Sequence, residues 1–361
     1  MRLGILLGLA PAAALGIGRF AYALVLPGMQ IAFNLSYAQA GLLGSSNTAG
    51  YLLGALISHR VLYWSGYRRG LFASLWLQAL SLALLAIVPS FPLLMLLRFL
   101  QGILGAFVFV GGAALLLASG GKSVASGLYF GGVGIGIVLS PSILPFMKSW
   151  QMGWLLLAGL AVFLTLLAYS CYPELKEPSP RSKTADGNLK SIRLILIAYG
   201  LYGAGYIGYM TFVTTALNTS LLAFWTVLGC GAALTGLVWG PLVARIGGEK
   251  GVIVVLACLA GSSLYWLVIH LPWVSAFFFG LSFLGVITAI TDIFRQLLPP
   301  SGWARAMGLS TAAFAAGQAI GPSLSGLAAD LTGGPSGAIG SATVLLSLGL
   351  LLSIYVVIRK K

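Results

Sequence analysis

From residue 3 to residue 358 the chain consists of twelve long apolar runs separated by short polar breaks. The runs lie near 3–29, 39–61, 70–89, 92–119, 123–146, 152–172, 192–217, 220–245, 250–270, 272–298, 303–328 and 336–358. Each is close to the roughly 20 residues needed to cross a hydrocarbon core. Only 7% of the 361 residues are charged, against about 25% in soluble domains. So few charges cannot wet the surface of a soluble chain of this length, so lipid is the expected solvent. The runs are continuously apolar and lack strand alternation. They are therefore expected to be helices, which close their backbone hydrogen bonds within the segment.

The placement of the charges supports the same class. The net charge of +14 comes from 20 Lys and Arg against six acids. These cations sit in breaks between runs and not along one basic face, which argues against a nucleic-acid partner. With the N-terminus inside, the inner loops collect Arg60, Arg68, Arg69, Lys122, Lys176, Arg181, Lys183, Lys190, Arg193, Arg245, Lys250, Arg295 and Arg305. The outer loops hold only Lys148. The positive-inside rule then places both termini in the cytoplasm and the chain in the inner (plasma) membrane. Ala10-Pro11-Ala12 has the small residues of a signal-peptide cleavage site. The apolar run continues to Met29 with Arg19 inside it, so this stretch is read as a retained first span.

Residues 173–191 form the one long polar connector, with Pro173, Pro178 and Pro180 among mixed charges. This is expected to be a cytoplasmic linker between two six-helix bundles, 1–172 and 192–361. The halves resemble each other in order. Gly16-Ile17-Gly18-Arg19 aligns with Gly203-Ala204-Gly205-Tyr206, Gly54 and Leu56 with Gly240 and Leu242, and Ser126-Gly127-Leu128 with Met307-Gly308-Leu309. Cys171, Cys230 and Cys258 have no paired spacing and are expected to be small buried hydrophobes. With two histidines at span ends, neither a metal site nor a cofactor is expected.

Leu97-Arg98-Phe99-Leu100-Gln101-Gly102, followed by Gly105-Ala106, resembles the fourth-helix motif of the major facilitator superfamily. Gly240-Pro241-Leu242-Val243-Ala244-Arg245 and Gly247 are similar to that superfamily's loop motif. The loop after the second span keeps Gly54, Leu56, Arg60, Arg68 and Arg69 but has Ser58 where the family usually has Asp. The opening helix, Gly16 to Tyr22 followed by Leu26-Pro27, resembles that of the YbfB/YjiJ-type group. The resemblance implies two pseudo-symmetric six-helix bundles in the major facilitator fold, working as a monomer that carries a small-molecule solute. Parallel six-span repeats agree with it.

Ionisable groups within the bilayer are costly, about 2.5–3.5 kcal/mol each on insertion scales, and face the bundle interior. Arg19 and Arg98 fall roughly 5 and 10 Å outward of the midplane at 1.5 Å rise per residue. Tyr22 lies one turn from Arg19 and Gln101 one turn from Arg98, so each pair shares a face. None of Glu174, Glu177, Asp186, Glu249, Asp292 and Asp330 falls near these arginines in sequence. Their counter-charge is then expected from a ligand, or else from carbonyls, hydroxyls and water. A structural Arg19 bonded to helix carbonyls is the other reading. Tyr199, Tyr202, Tyr206 and Tyr209 share one face of the seventh span, either lining a cavity or packing between helices. Asn47, Gln78 and Gln318 are further polar candidates. Asp292 is expected to pair with Arg295 or Arg305 at the inner face.

The substrate-binding candidates are therefore Arg19, Tyr22, Asn47, Arg98, Gln101, Tyr202, Tyr206 and Tyr209. They favour secondary or facilitated transport of a small anionic organic solute, since guanidinium grips carboxylate or phosphate bidentately. A proton-coupled exporter of amphipathic or cationic compounds is the transport alternative, although no central acid supports it. A non-transporting membrane sensor or scaffold is the alternative from another class. No catalytic motif is present, so no enzyme is expected. Cysteines introduced at Asn34 and Ser182 should label from opposite sides of the membrane. Labelling of both from one side would contradict the topology.

Overall fold

The computed structural model describes residues 2–88, 90–119, 123–172, 192–217, 219–297 and 300–359. Every one of the twelve apolar runs falls on a helix or a helix run. The first run comprises α1 (Arg2–Pro11), a π-helical segment (Ala12–Phe20) and α2 (Tyr22–Phe33). Next come α3 (Tyr37–Ser65), α4 (Tyr67–Leu85), α5 (Phe91–Ala118), α6 (Ser123–Leu139) with a 3-10 extension (Ser140–Phe146), and α7 (Trp150–Cys171). The remainder is α8 (Arg193–Phe212), α9 (Leu221–Ile246), α10 (Gly248–Ile269), α11 (Pro272–Phe283), α12 (Gly285–Leu297), α13 (Pro300–Thr332) and α14 (Pro335–Arg359). The tenth run thus breaks at Leu284, and residues 173–191 lie outside the described residues.

Nine of these stretches, among the described residues, are long and apolar enough to cross a membrane by composition. Helices α3, α4 and α13 are not among the nine. Their sequences carry the polar residues that the bundle buries: Asn47 and Thr48 on α3, Gln78 on α4, Gln318 on α13. The outside is the reverse, with Trp64, Leu237, Leu351 and Ile358 more than half exposed. Polar inside and apolar outside is the pattern of a multi-pass membrane protein. The cysteines follow it too: Cys230 is exposed and Cys171 and Cys258 only partly buried. The expectation of buried cysteines fails because lipid lets an apolar side chain face outward at no cost.

Helix packing is close where glycine permits it. An ideal Cβ on Gly102 of α5 would lie 1.9 Å from the Asn47 carbonyl oxygen of α3. The glycine of the Arg-x-x-Gln-Gly motif therefore sets the α3–α5 distance, and small residues do the same wherever membrane helices touch closely.

Proline explains several of the hydrogen bonds between helices. A helical proline has no N–H, so the carbonyl four residues earlier loses its donor. Pro11 frees Leu7, and the Tyr172 hydroxyl donates to the Leu7 oxygen at 2.9 Å. Pro27 frees Ala23, whose oxygen accepts from Thr214 Oγ1 at 2.5 Å. Pro322 frees Gln318, whose oxygen accepts from Thr48 Oγ1 at 2.8 Å. In hydrocarbon each orphan carbonyl would cost several kcal/mol, so these hydroxyls are structural partners. Replacing Gly102 with Ala should lower the melting temperature of purified protein by several degrees, the effect of roughly 1–3 kcal/mol of overpacking. Gly159→Ala, where a Cβ meets nothing within 4 Å, should leave it unchanged.

Candidate functional site

The site begins with the π-helical segment, where Gly16 and Gly18 remove side-chain bulk. A Cβ on Gly18 would overlap Gln78 Nε2, and that nitrogen donates to the Ala14 oxygen at 2.7 Å. Arg98 Nη1 donates to the Gly18 oxygen at 3.1 Å and to Gln101 Oε1 at 2.9 Å. The first helix thus meets α4 and α5 through its own backbone oxygens, and π-helical turns recur at functional sites.

The two arginines are held differently. The Arg98 guanidinium carbon lies 4.5 Å from the Tyr22 ring centroid and 6.0 Å from that of Trp154. Tyr22 and Trp154 stack with centroids 6.3 Å apart, and the Tyr22 hydroxyl donates to the Ala40 oxygen at 2.9 Å. Arg98 is thereby fixed by a carbonyl, an amide and two aromatic faces, while its Nε is buried without a partner. Arg19 has the Tyr51 ring at 5.1 Å and the Phe20 ring at 5.5 Å. Its Nε and Nη2 are buried with no hydrogen-bond partner. Both guanidinium groups border the same pocket.

A small pocket is lined by Arg19, Tyr22, Asn47, Thr48, Arg98 and Thr211, among others. Four of the expected substrate-binding residues therefore share one cavity: Arg19, Tyr22, Asn47 and Arg98. Gln101 is attached to it through Arg98, and its Nε2 is buried without a partner. Asn47 serves two purposes. Its Nδ2 donates to the Arg98 oxygen at 3.0 Å, joining α3 to α5, while its Oδ1 is unpartnered.

The α8 tyrosines sit outside that lining. Tyr202 and Tyr206 stack on each other and on Phe314 of α13, at centroid distances of 5.2, 5.4 and 5.7 Å. The Tyr202 hydroxyl donates to the Phe283 oxygen, and Gln318 Nε2 donates to the Tyr206 hydroxyl. Tyr209 stacks on Phe279 at 3.8 Å and hydrogen-bonds Ser275 at 2.7 Å. In this conformation all three are packed against α11 and α13, with their hydroxyls engaged. Asp292 accepts from Gln296 Nε2 at 2.8 Å. The side chains of its expected partners, Arg295 and Arg305, lie outside the described residues.

Tyr51, Trp154, Thr48 and Thr211 were not anticipated at the site. Tyr51 follows Asn47 by one turn and so shares its face, a signal open to reading from spacing. Trp154 carries no such signal, since its meeting with Arg98 is made by tertiary packing alone.

The unequal bonding predicts opposite stability effects. Arg98→Gln leaves the Gly18 carbonyl and Gln101 without their donor, at about 1–3 kcal/mol for each unsatisfied group, and should lower the melting temperature. Arg19→Gln removes a buried charge that has little to hold it, and should melt at or above the parent in solute-free buffer. A lower melting temperature for Arg19→Gln than for Arg98→Gln would contradict this assignment.

Comparison with known proteins agrees with the fold. The family model described as "Uncharacterised MFS-type transporter YbfB" matches residues 11–357. The MFS-type transporter YceJ of Bacillus subtilis (strain 168) is 25% identical, aligned over 86% of this chain and 85% of its own. A crystal structure of a mutant of the nucleoside transporter NupG superimposes with a TM-score of 0.77 at 13% identity, covering 99% of this chain and 100% of that one. That likeness is one of fold. With the family model spanning nearly its whole length, the chain belongs to the YbfB-type family of major facilitator transporters.

Proposed function

We propose that this transporter moves a small anionic organic solute by alternating access, with Arg19 as the residue that grips the anionic group. The observation behind this reading is the Arg19 guanidinium, buried with Nε and Nη2 unpartnered in a pocket shared with Arg98. Guanidinium donors left open in a low-dielectric cavity recruit an acceptor of opposite charge. No carboxylate of the described residues lines that pocket. The solute would therefore complete the charge balance, and transport rather than catalysis is the role.

In the same reading the chain crosses the inner (plasma) membrane twelve times with both termini cytoplasmic. Helices α1–α7 pack among themselves, α8–α14 do likewise, and the two sets meet mainly along α3 with α13 and α6 with α9. This supports two rigid halves, 1–172 and 192–361, rocking about a central site. Arg98 positions the site by holding α5 to the first helix. Tyr202, Tyr206 and Tyr209 pack within the second half, so they would border the solute only where α8 also rearranges locally against α11 and α13. The nucleoside of NupG is not carried over, because only the fold is shared.

The test is a thermal-shift screen of purified protein against small carboxylates and phosphate esters, each with a neutral and a cationic analogue. A bound anion should raise the melting temperature by mass action. Arg19→Gln should lose that shift, and Arg19→Lys should retain part of it through charge without the planar fork. Stabilisation by cationic analogues alone, undiminished in Arg19→Gln, would overturn the reading.

A further inference from the structure

Asp330, the acid at the end of α13, is buried in no site and faces no arginine pocket, yet both its carboxylate oxygens are used. Oδ1 accepts from the Tyr37 N–H at 2.8 Å and Oδ2 from the Ala38 N–H at 2.9 Å, nearly 300 residues away in the chain. These are the first two N–H groups of α3, which no helix can satisfy internally. The third belongs to Gln39 and is taken by Ser36 Oγ at 3.2 Å, while Gln39 Oε1 accepts from the Ser36 N–H at 3.0 Å. The α3 terminus is thus completed by its own capping box on one side and by Asp330 on the other. A carboxylate there also meets the positive end of the helix dipole.

The contact closes a seam. Below Asp330, a Cβ on Gly326 would lie 2.2 Å from the Tyr37 oxygen, and one on Gly41 would lie 2.2 Å from the Pro322 oxygen. Ser45 and Ser323 hydroxyls meet at 2.8 Å, and Thr48 holds the oxygen freed by Pro322. The seam ends at Thr48, which lines the pocket with Arg19. Bonds inside the seam are shielded from water, whereas Asp330 and Ser36 are exposed. Water can replace the Asp330 bonds when α3 and α13 part, so this contact can open and reclose.

We propose that Asp330 is a latch: its two-pronged cap on α3 holds the seam between the halves shut on the far side of the pocket from the chain termini. The inference rests on the alternating-access reading, but its test needs no solute. Thr211→Cys places a thiol in the pocket, in protein whose Cys171, Cys230 and Cys258 are replaced. A charged, membrane-impermeant thiol reagent is added to intact cells, where it reaches the latch side.

Labelling should be slow in the parent and about tenfold faster in Asp330→Asn, the scale of a lost helix cap. Asp330→Glu should stay near the parent rate. Tyr37→Pro removes one donor from the other partner, and Ser36 already has the extended backbone (φ −64°, ψ 162°) that a residue before proline requires. It should label faster as well, so the test survives poor folding of one variant. An oxidised Ser45→Cys/Ser323→Cys pair should restore slow labelling to Asp330→Asn. Equal rates in the parent, Asp330→Asn and Tyr37→Pro would overturn the latch. If those equal rates accompany normal stabilisation by an anion, the latch fails while the anion-site reading stands.

Discussion

Among the described residues, Arg19 and Arg98 are buried in this bundle with no carboxylate lining their pocket, and much of the central architecture follows from that. One of them has been given substitutes for a counter-ion. Arg98 takes a helix carbonyl, an amide oxygen and two aromatic faces. Supplying that carbonyl requires the first helix to present Gly18 at close range, which the glycine-rich π-helical segment allows. Arg19, one residue further along the same segment, is left with rings beside it and bare N–H groups. In the proposed reading Arg98 shapes the site and Arg19, with two bare nitrogens against one, grips the solute.

Lipid imposes a second constraint. A backbone oxygen that loses its donor must find another within the protein. The prolines at 11, 27 and 322 each release such an oxygen, and a hydroxyl from a distant helix answers each one. Two of these bonds, from Thr214 and Thr48, join the first seven helices to the last seven. Residues that weaken a helix locally therefore create the polar contacts by which the halves hold each other. Such contacts are individually modest, which suits the proposed alternating access.

Much of the fold was legible in the sequence, because the solvent dictates it. Apolar runs of spanning length force helices. The motif around Arg98 located the fourth helix, and the depth of Arg19 within the first apolar run marked it for the bundle interior. Other features were hidden for physical reasons. The break at Leu284 and the π-helical geometry leave no mark on hydropathy, since the apolar sequence continues through each. The tyrosine face of α8 was visible, but periodicity shows which residues share a face and not what that face meets. Trp154, Phe314 and the pairing of Asp330 with α3 depend on long-range packing between segments. The cysteines misled because burial follows apolarity in water and not in lipid.

The most direct test is a structure of the protein with a stabilising anionic solute bound, at a resolution that places its charged group. The account predicts that group within about 2.7–2.9 Å of Arg19 Nε or Nη2, with Arg98 still bonded to the Gly18 carbonyl and Gln101. A solute seated elsewhere, leaving the Arg19 donors bare, would contradict it.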